Sequence, residues 1–176
     1  MTTATPPGRD DATSFALLSR LAGRWVGRGR GRYPTIEPFE FAEETTFLLA
    51  PEYPMVRYEQ RAWLLPGRES SHWELGLWRI VDGGAVELST AQDSGRVEVL
   101  RGLVEAAGED GLRLELFSTC LANDARLVRT ERVISLRAGV LRYTTYMATT
   151  TTPTPERLQH LEATLERAAD TPSRDA

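Results

Sequence analysis

The run Gly23-Arg24-Trp25-Val26-Gly27-Arg28-Gly29-Arg30-Gly31-Arg32-Tyr33 carries glycine or an aromatic ring at every second position. As a strand it places Gly23, Trp25, Gly27, Gly29, Gly31 and Tyr33 on one side, and Arg24, Val26, Arg28, Arg30 and Arg32 on the other. Four arginines cannot be buried without partners, so their face meets water and the glycine face turns inward. Glycine in a strand interior marks sharp curvature or the close approach of another group. A nearly bare inner wall with one Trp at its foot therefore points to a closed barrel with room for a ligand.

The chain has 176 residues, enough for one domain with a real core. We expect that domain over residues 13–168, between disordered tails at 1–12 and 169–176. A net charge of -4 excludes the clustered positive excess that nucleic-acid binding needs. All 21 basic residues are arginine, which we read as genome composition. A single cysteine, Cys120, excludes an internal disulfide framework and fits a reducing compartment; its strand-like surroundings suggest a small buried hydrophobe. The N-terminal stretch has no apolar core and no run is long enough to span a bilayer, so a soluble, cytoplasmic protein is expected.

Working outward, Phe15, Leu17, Leu18 and Leu21 behind Ser/Thr caps read as a short helix from Thr13 that plugs one end of the barrel. Tyr33-Pro34-Thr35-Ile36-Glu37-Pro38, with two prolines, reads as a turn or lid at the mouth. Strands are expected at Phe39–Leu49, Met55–Leu64, His72–Val81, Ala85–Ala91, Arg96–Val104, Leu112–Leu121, Ala125–Leu136 and Val140–Thr149. Turn chemistry separates them, including Asp82-Gly83-Gly84. The fold class is all-β, an up-and-down antiparallel barrel of about ten strands. After a Thr/Pro linker, Pro155-Glu156 opens what reads as a C-terminal helix with the apolar stripe Leu158, Leu161, Leu165 and Ala168. His160 lies off that stripe, and helical spacing leaves its direction open.

Few constellations stand out for chemistry. Gly27-x-Gly29-x-Gly31 has the wrong spacing for a dinucleotide fingerprint. Two histidines, His72 and His160, and no cysteine pair give little support to a zinc site. Glu43 and Glu44 are adjacent and face opposite ways on a strand, which suits solvation better than acid/base work.

Taken together, several segments resemble the nitrobindin family. Gly23-x-Trp25-x-Gly27-x-Gly29 meets that family's signature, followed by Tyr33-Pro34-Thr35-Ile36 and Phe39-x-Phe41-x-Glu43-Glu44. The likeness continues through Tyr58-x-Gln60-x-x-Trp63, His72-x-Glu74-x-Gly76-x-x-Arg79, Tyr143-x-x-x-Met147 and His160-Leu161-x-Ala163-x-Leu165. The resemblance implies a ten-stranded barrel related to fatty-acid-binding proteins, holding one haem b near its mouth. It implies His160 as the iron ligand and catalytic residue, Thr35 as a haem contact, His72 pointing into the pocket and Met147 on the pocket wall. The implied activity is isomerisation of peroxynitrite to nitrate, with nitric oxide binding at the same iron. The alternative is a non-catalytic carrier of a fatty acid or other apolar ligand. No membrane or nucleic-acid partner is expected, and the arginine-rich outer face offers a surface for a homodimer contact.

Overall fold

The computed structural model describes residues 10–50, 52–151 and 154–169. A helix, α1 (Asp11–Leu18), and a 3-10 turn (Ser19–Leu21) precede ten strands: β1 (Gly23–Tyr33), β2 (Ile36–Ala50), β3 (Met55–Leu64), β4 (Ser70–Val81), β5 (Ala85–Gln92), β6 (Val97–Ala106), β7 (Leu112–Ala122), β8 (Leu127–Arg137), β9 (Val140–Thr149) and β10 (Leu158–Arg167). Each strand is antiparallel to its sequence neighbour, and β10 pairs with β1 from Trp25↔Arg167 to Gly31↔Leu161. The barrel is closed, which removes the edge strands that an open sheet would have to protect.

The C-terminal helix expected from the sequence is thus a strand, β10. Its residues favour helix on propensity, but Leu161, Ala163 and Leu165 also alternate with Glu162, Thr164 and Glu166. The open ladders of β1 and β9 reward that second pattern with hydrogen bonds on both sides. Tertiary pairing overrides local preference here. This segment supplies the tenth strand.

Alternation along β1 is as expected: Trp25, Gly29 and Gly31 are buried while all four arginines are not. The empty wall is filled, however. A Cβ at Gly29 would lie 2.6 Å from Phe41 Cε2 and 2.5 Å from the Glu162 carbonyl oxygen, and one at Gly31 would strike the Phe39 ring. Glycine on β1 lets Phe39 and Phe41 of β2 lie against bare backbone, so the ligand space is displaced from this wall. Arg24 reaches outward to Glu44 in a bidentate pair at 2.9 and 2.7 Å.

The helix begins at Asp11, two residues before the expected start, because Asp10 caps it through Thr13 N at 2.7 Å. Leu17, Leu18 and Leu21 bury against Trp25, Trp78 and Leu88 to form an apolar floor. Trp25 donates from Nε1 to the Leu21 carbonyl at 2.8 Å, under the Arg167 guanidinium 4.4 Å from its ring. The expected 33–38 turn is shorter: only Pro34 and Thr35 turn, and Pro38 lies in the part of β2 that extends past its pairing with β3. Cys120 is exposed on β7, contrary to the expectation of burial. Residues 1–9 and 170–176 of the expected tails lie outside the described residues. No described helix is long and apolar enough to cross a membrane.

Candidate functional site

A cavity of about 150 Å³ occupies the barrel above the floor. Register sets its levels: along β2, Phe39 is nearest the Pro34-Thr35 turn, followed by Phe41, Glu43, Thr45 and finally Phe47 against Trp78. The side chains lining it divide between two halves of the barrel.

In the half made by β4 to β8, every charge is matched. Arg132 holds Glu74 with two hydrogen bonds at 2.5 and 2.9 Å and reaches Glu98 at 3.5 Å. Arg96 pairs with Glu98 at 3.0 Å, and Gln92 donates to Glu74 at 2.8 Å. Thr130 donates to Glu98 at 2.9 Å. Burial alone would raise the Glu74 carboxyl, but the Arg132 charge and its hydrogen bonds outweigh that and bring it down to about 2. His72 stands 3.8 Å from both Glu74 and Asp93, and burial lowers its proton affinity more than those carboxylates restore it.

The half made by β9, β10, β1, β2 and β3 places no cation on the cavity wall among the described residues. Tyr143 donates to Glu43, Thr45 Oγ1 donates to Glu43 at 2.7 Å, and Gln60 Nε2 donates to the Tyr143 oxygen at 3.0 Å. Tyr58 in turn donates to Gln60. Burial pushes Glu43 up to about 7, against the smaller lowering by these hydrogen bonds. Burial and the neighbouring carboxylates hold the Tyr58 and Tyr143 hydroxyls well above their ordinary range.

His160 sits at the rim. A register shift between Gln159 and Leu161 turns it out of the regular alternation and into the wall, where it is 3% exposed. Its ring lies 4.9 Å from that of Tyr33, which lines the cavity, and its Nδ1 is 2.9 Å from the Leu158 carbonyl oxygen. Because a carbonyl oxygen only accepts, Nδ1 is the donor in that contact, and Nε2 has no hydrogen bond to a described residue. His160 itself is not part of the cavity wall, though its neighbour Leu161 is. Of the other expected residues, His72 and Met147 line the cavity, and Met147 pairs with Leu158. Thr35 is exposed in the turn beyond Tyr33 and does not line it. Gly23 and Trp25 belong to the floor: Gly23 has φ +132 beside Arg167.

A model of THAP4-like, haem-binding β-barrel domains matches residues 14–167. The chain belongs to this family. It is similar to a peroxynitrite isomerase of Arabidopsis thaliana, 35% identical over 152 residues that cover 86% of this chain and 87% of that one. Another from Rhodococcus jostii is 34% identical, covering 81% and 80%. The crystal structure of Rv2717c from M. tuberculosis superposes with a TM-score of 0.81 at 30% identity, covering 91% of this chain and 100% of that one. Haem is accordingly this family member's cofactor. The donor set fits it: a buried imidazole with its second nitrogen anchored on a backbone carbonyl is the form in which histidine ligates iron. Two buried donors on the cavity residues, Trp78 Nε1 and Arg132 Nε, also have no acceptor among the described residues, as befits a space that takes up water or ligand.

The residues around Glu43 went unread as a site in the sequence. Their signal was present in Phe39, Phe41, Glu43, Thr45 and Phe47, an apolar alternation that carries one carboxylate inward while Glu44 faces Arg24 outside. Adjacent glutamates do point opposite ways, but only one of them is solvated.

Proposed function

We propose that this chain is a haem-dependent isomerase that converts peroxynitrite to nitrate, holds one haem b through His160 Nε2, and binds nitric oxide at the same iron. The carrying observation is the buried His160 ring, its Nδ1 committed to the Leu158 carbonyl; the names of the relatives supply the substrate. Bound haem supplies a ferric iron that acts as a Lewis acid toward the peroxy oxygen. His160 would hold that iron, with the Leu158 carbonyl strengthening the imidazole as a donor and Tyr33 fixing its ring plane. Met147 and Phe39 provide apolar wall. Thr35, at the turn, would be an outer contact.

Peroxynitrite and nitrate have the same atoms and the same charge, so no proton need be consumed. The polar half of the cavity is suited to this because His72 is biased toward its neutral form and Arg96 and Arg132 are already paired. Both arginines of the wall thus have their charge matched by a carboxylate, and neither presents a bare cation that would trap the product anion. Of their buried donors, only Arg132 Nε has no acceptor among the described residues. The same pairing disfavours the fatty-acid carrier reading, since a carboxylate entering the cavity would meet Glu74 and Glu98 already seated on both arginines. The exposed Arg28 and Arg32 of β1 would contribute to a homodimer contact, and the cytoplasm is the proposed compartment.

Stopped-flow mixing of peroxynitrite with the ferric haem-loaded chain tests the reading. Decay faster than with free haem, with nitrate as the product, is expected, and His160→Ala should fall back to the free-haem rate. Decay no faster than free haem would defeat it.

A further inference from the structure

Glu43 takes no part in the chemistry above, yet among the described residues it is the one carboxyl on the cavity wall without an arginine. Of the ionisable groups on that wall, Arg96 and Arg132 balance Glu74 and Glu98, so an ionised Glu43 leaves the interior with a surplus negative charge. A charge in this setting is costly unless something neutralises it. A proton can do so. A cationic ligand could do it instead.

We propose that the cation-free half of the barrel is a second binding site, for a small apolar organic cation that pairs with Glu43 in place of a proton and lays its hydrocarbon among Phe41, Phe47 and Tyr58 of that half, against Trp78 of the neighbouring β4. The walls suit such a guest. Tyr58 and Trp78 meet edge to face at 5.9 Å, and Phe47 lies 5.3 Å from Tyr58 and 6.2 Å from Trp78. These rings present both apolar surface and the faces that attract cations. Tyr143, Thr45 and Gln60 are all neutral partners of the Glu43 carboxyl, so none brings the positive charge that the guest would supply. The cavity as a whole is about 150 Å³, which limits the guest to a six- to eight-atom hydrocarbon at most.

Exchange of a cation for a proton makes binding depend on pH. The groups that face Glu43 are Thr45 on its own strand, Tyr143 on β9 and Gln60 on β3, with the negative charge of Glu74 on β4 behind them. The tyrosines stay protonated and Glu74 stays ionised through the neutral range, and burial biases His72 across the cavity toward its neutral form, leaving Glu43 as the group that gives up the proton.

The test is calorimetry on the full chain as purified, with n-butyltrimethylammonium as the probe because it cannot ligate iron, and hexanoate as its opposite in charge. The cation should bind at least about tenfold more tightly than hexanoate, release a proton at pH 6, and tighten by about tenfold per pH unit up to about 7 before levelling. Glu43→Gln should lose both the proton release and the preference while keeping its far-ultraviolet circular dichroism. Tyr143→Phe, which removes a donor to the carboxylate, should move the midpoint to higher pH. Equal or tighter hexanoate binding, cation binding without proton release, unchanged binding in Glu43→Gln, or no binding of either probe would overturn the proposal.

Discussion

Glu43 and Glu74 look into one cavity and are 3% and 1% exposed, yet one is held near 7 and the other near 2. Burial opposes ionisation of both. The difference lies in what the neighbouring strands supply: β8 brings Arg132 to Glu74, whereas β9 brings only the Tyr143 hydroxyl to Glu43. A hydrogen bond from a neutral donor offsets part of the desolvation cost, and a paired guanidinium offsets more than all of it. The barrel is thereby divided into a half that keeps its charges and a half that keeps a proton.

The most severe way to break this contrast is to remove the guanidinium. Arg132→Met leaves Glu74 and a partly stripped Glu98 buried together, and should cost about 3–5 kcal/mol in urea unfolding. Adding Glu74→Gln to that variant should recover part of the loss, which a double-mutant cycle would read.

The two carboxyls should also leave opposite marks on stability against pH. Glu74 has its affinity for protons lowered by folding, so its contribution is complete above about 4.5 and is lost as pH falls toward 2. Glu43 is raised by folding, so its contribution is complete below about 4.5 and is lost as pH rises through about 7. Each limb amounts to about 3 kcal/mol, at roughly 1.4 kcal/mol for every pH unit that separates the folded from the unfolded value. Glu43→Gln should flatten only the neutral limb, and urea titrations across that range would show it.

A smaller effect sharpens the same comparison. Gly29→Ala forces a methyl against Phe41, which shares the inner face of β2 with Glu43, and should cost about 1–3 kcal/mol. The carboxyl stretch of Glu43 in infrared difference spectra should shift with it, while that of Glu74 should not. Smallest of all, Thr35→Ala lies outside both halves and should change unfolding by less than about 0.5 kcal/mol.

Much of the barrel was readable from period two alone. Leu112, Leu114 and Leu116 bury as their alternation demands, and the arginines of β1 face out. The tail misled because Leu158, Leu161 and Leu165 satisfy a helical stripe, while the strand reading depends on partners almost 140 residues away on β1. His160 could not be aimed by any period, since an irregularity in register sets its direction. The ion network was hidden for a related reason. Arg132 and Glu74 are 58 positions apart, and only closure of the sheet brings them within reach.

Ligation of haem by His160 underlies the proposed activity, and a haem titration read in the Soret band tests it most directly. Ferric haem added to the wild-type chain should give a sharp, saturable band. His72→Ala should retain it, His160→Gly should lose it, and added imidazole should restore it. A wild-type band surviving in His160→Gly without imidazole would place the iron on another residue.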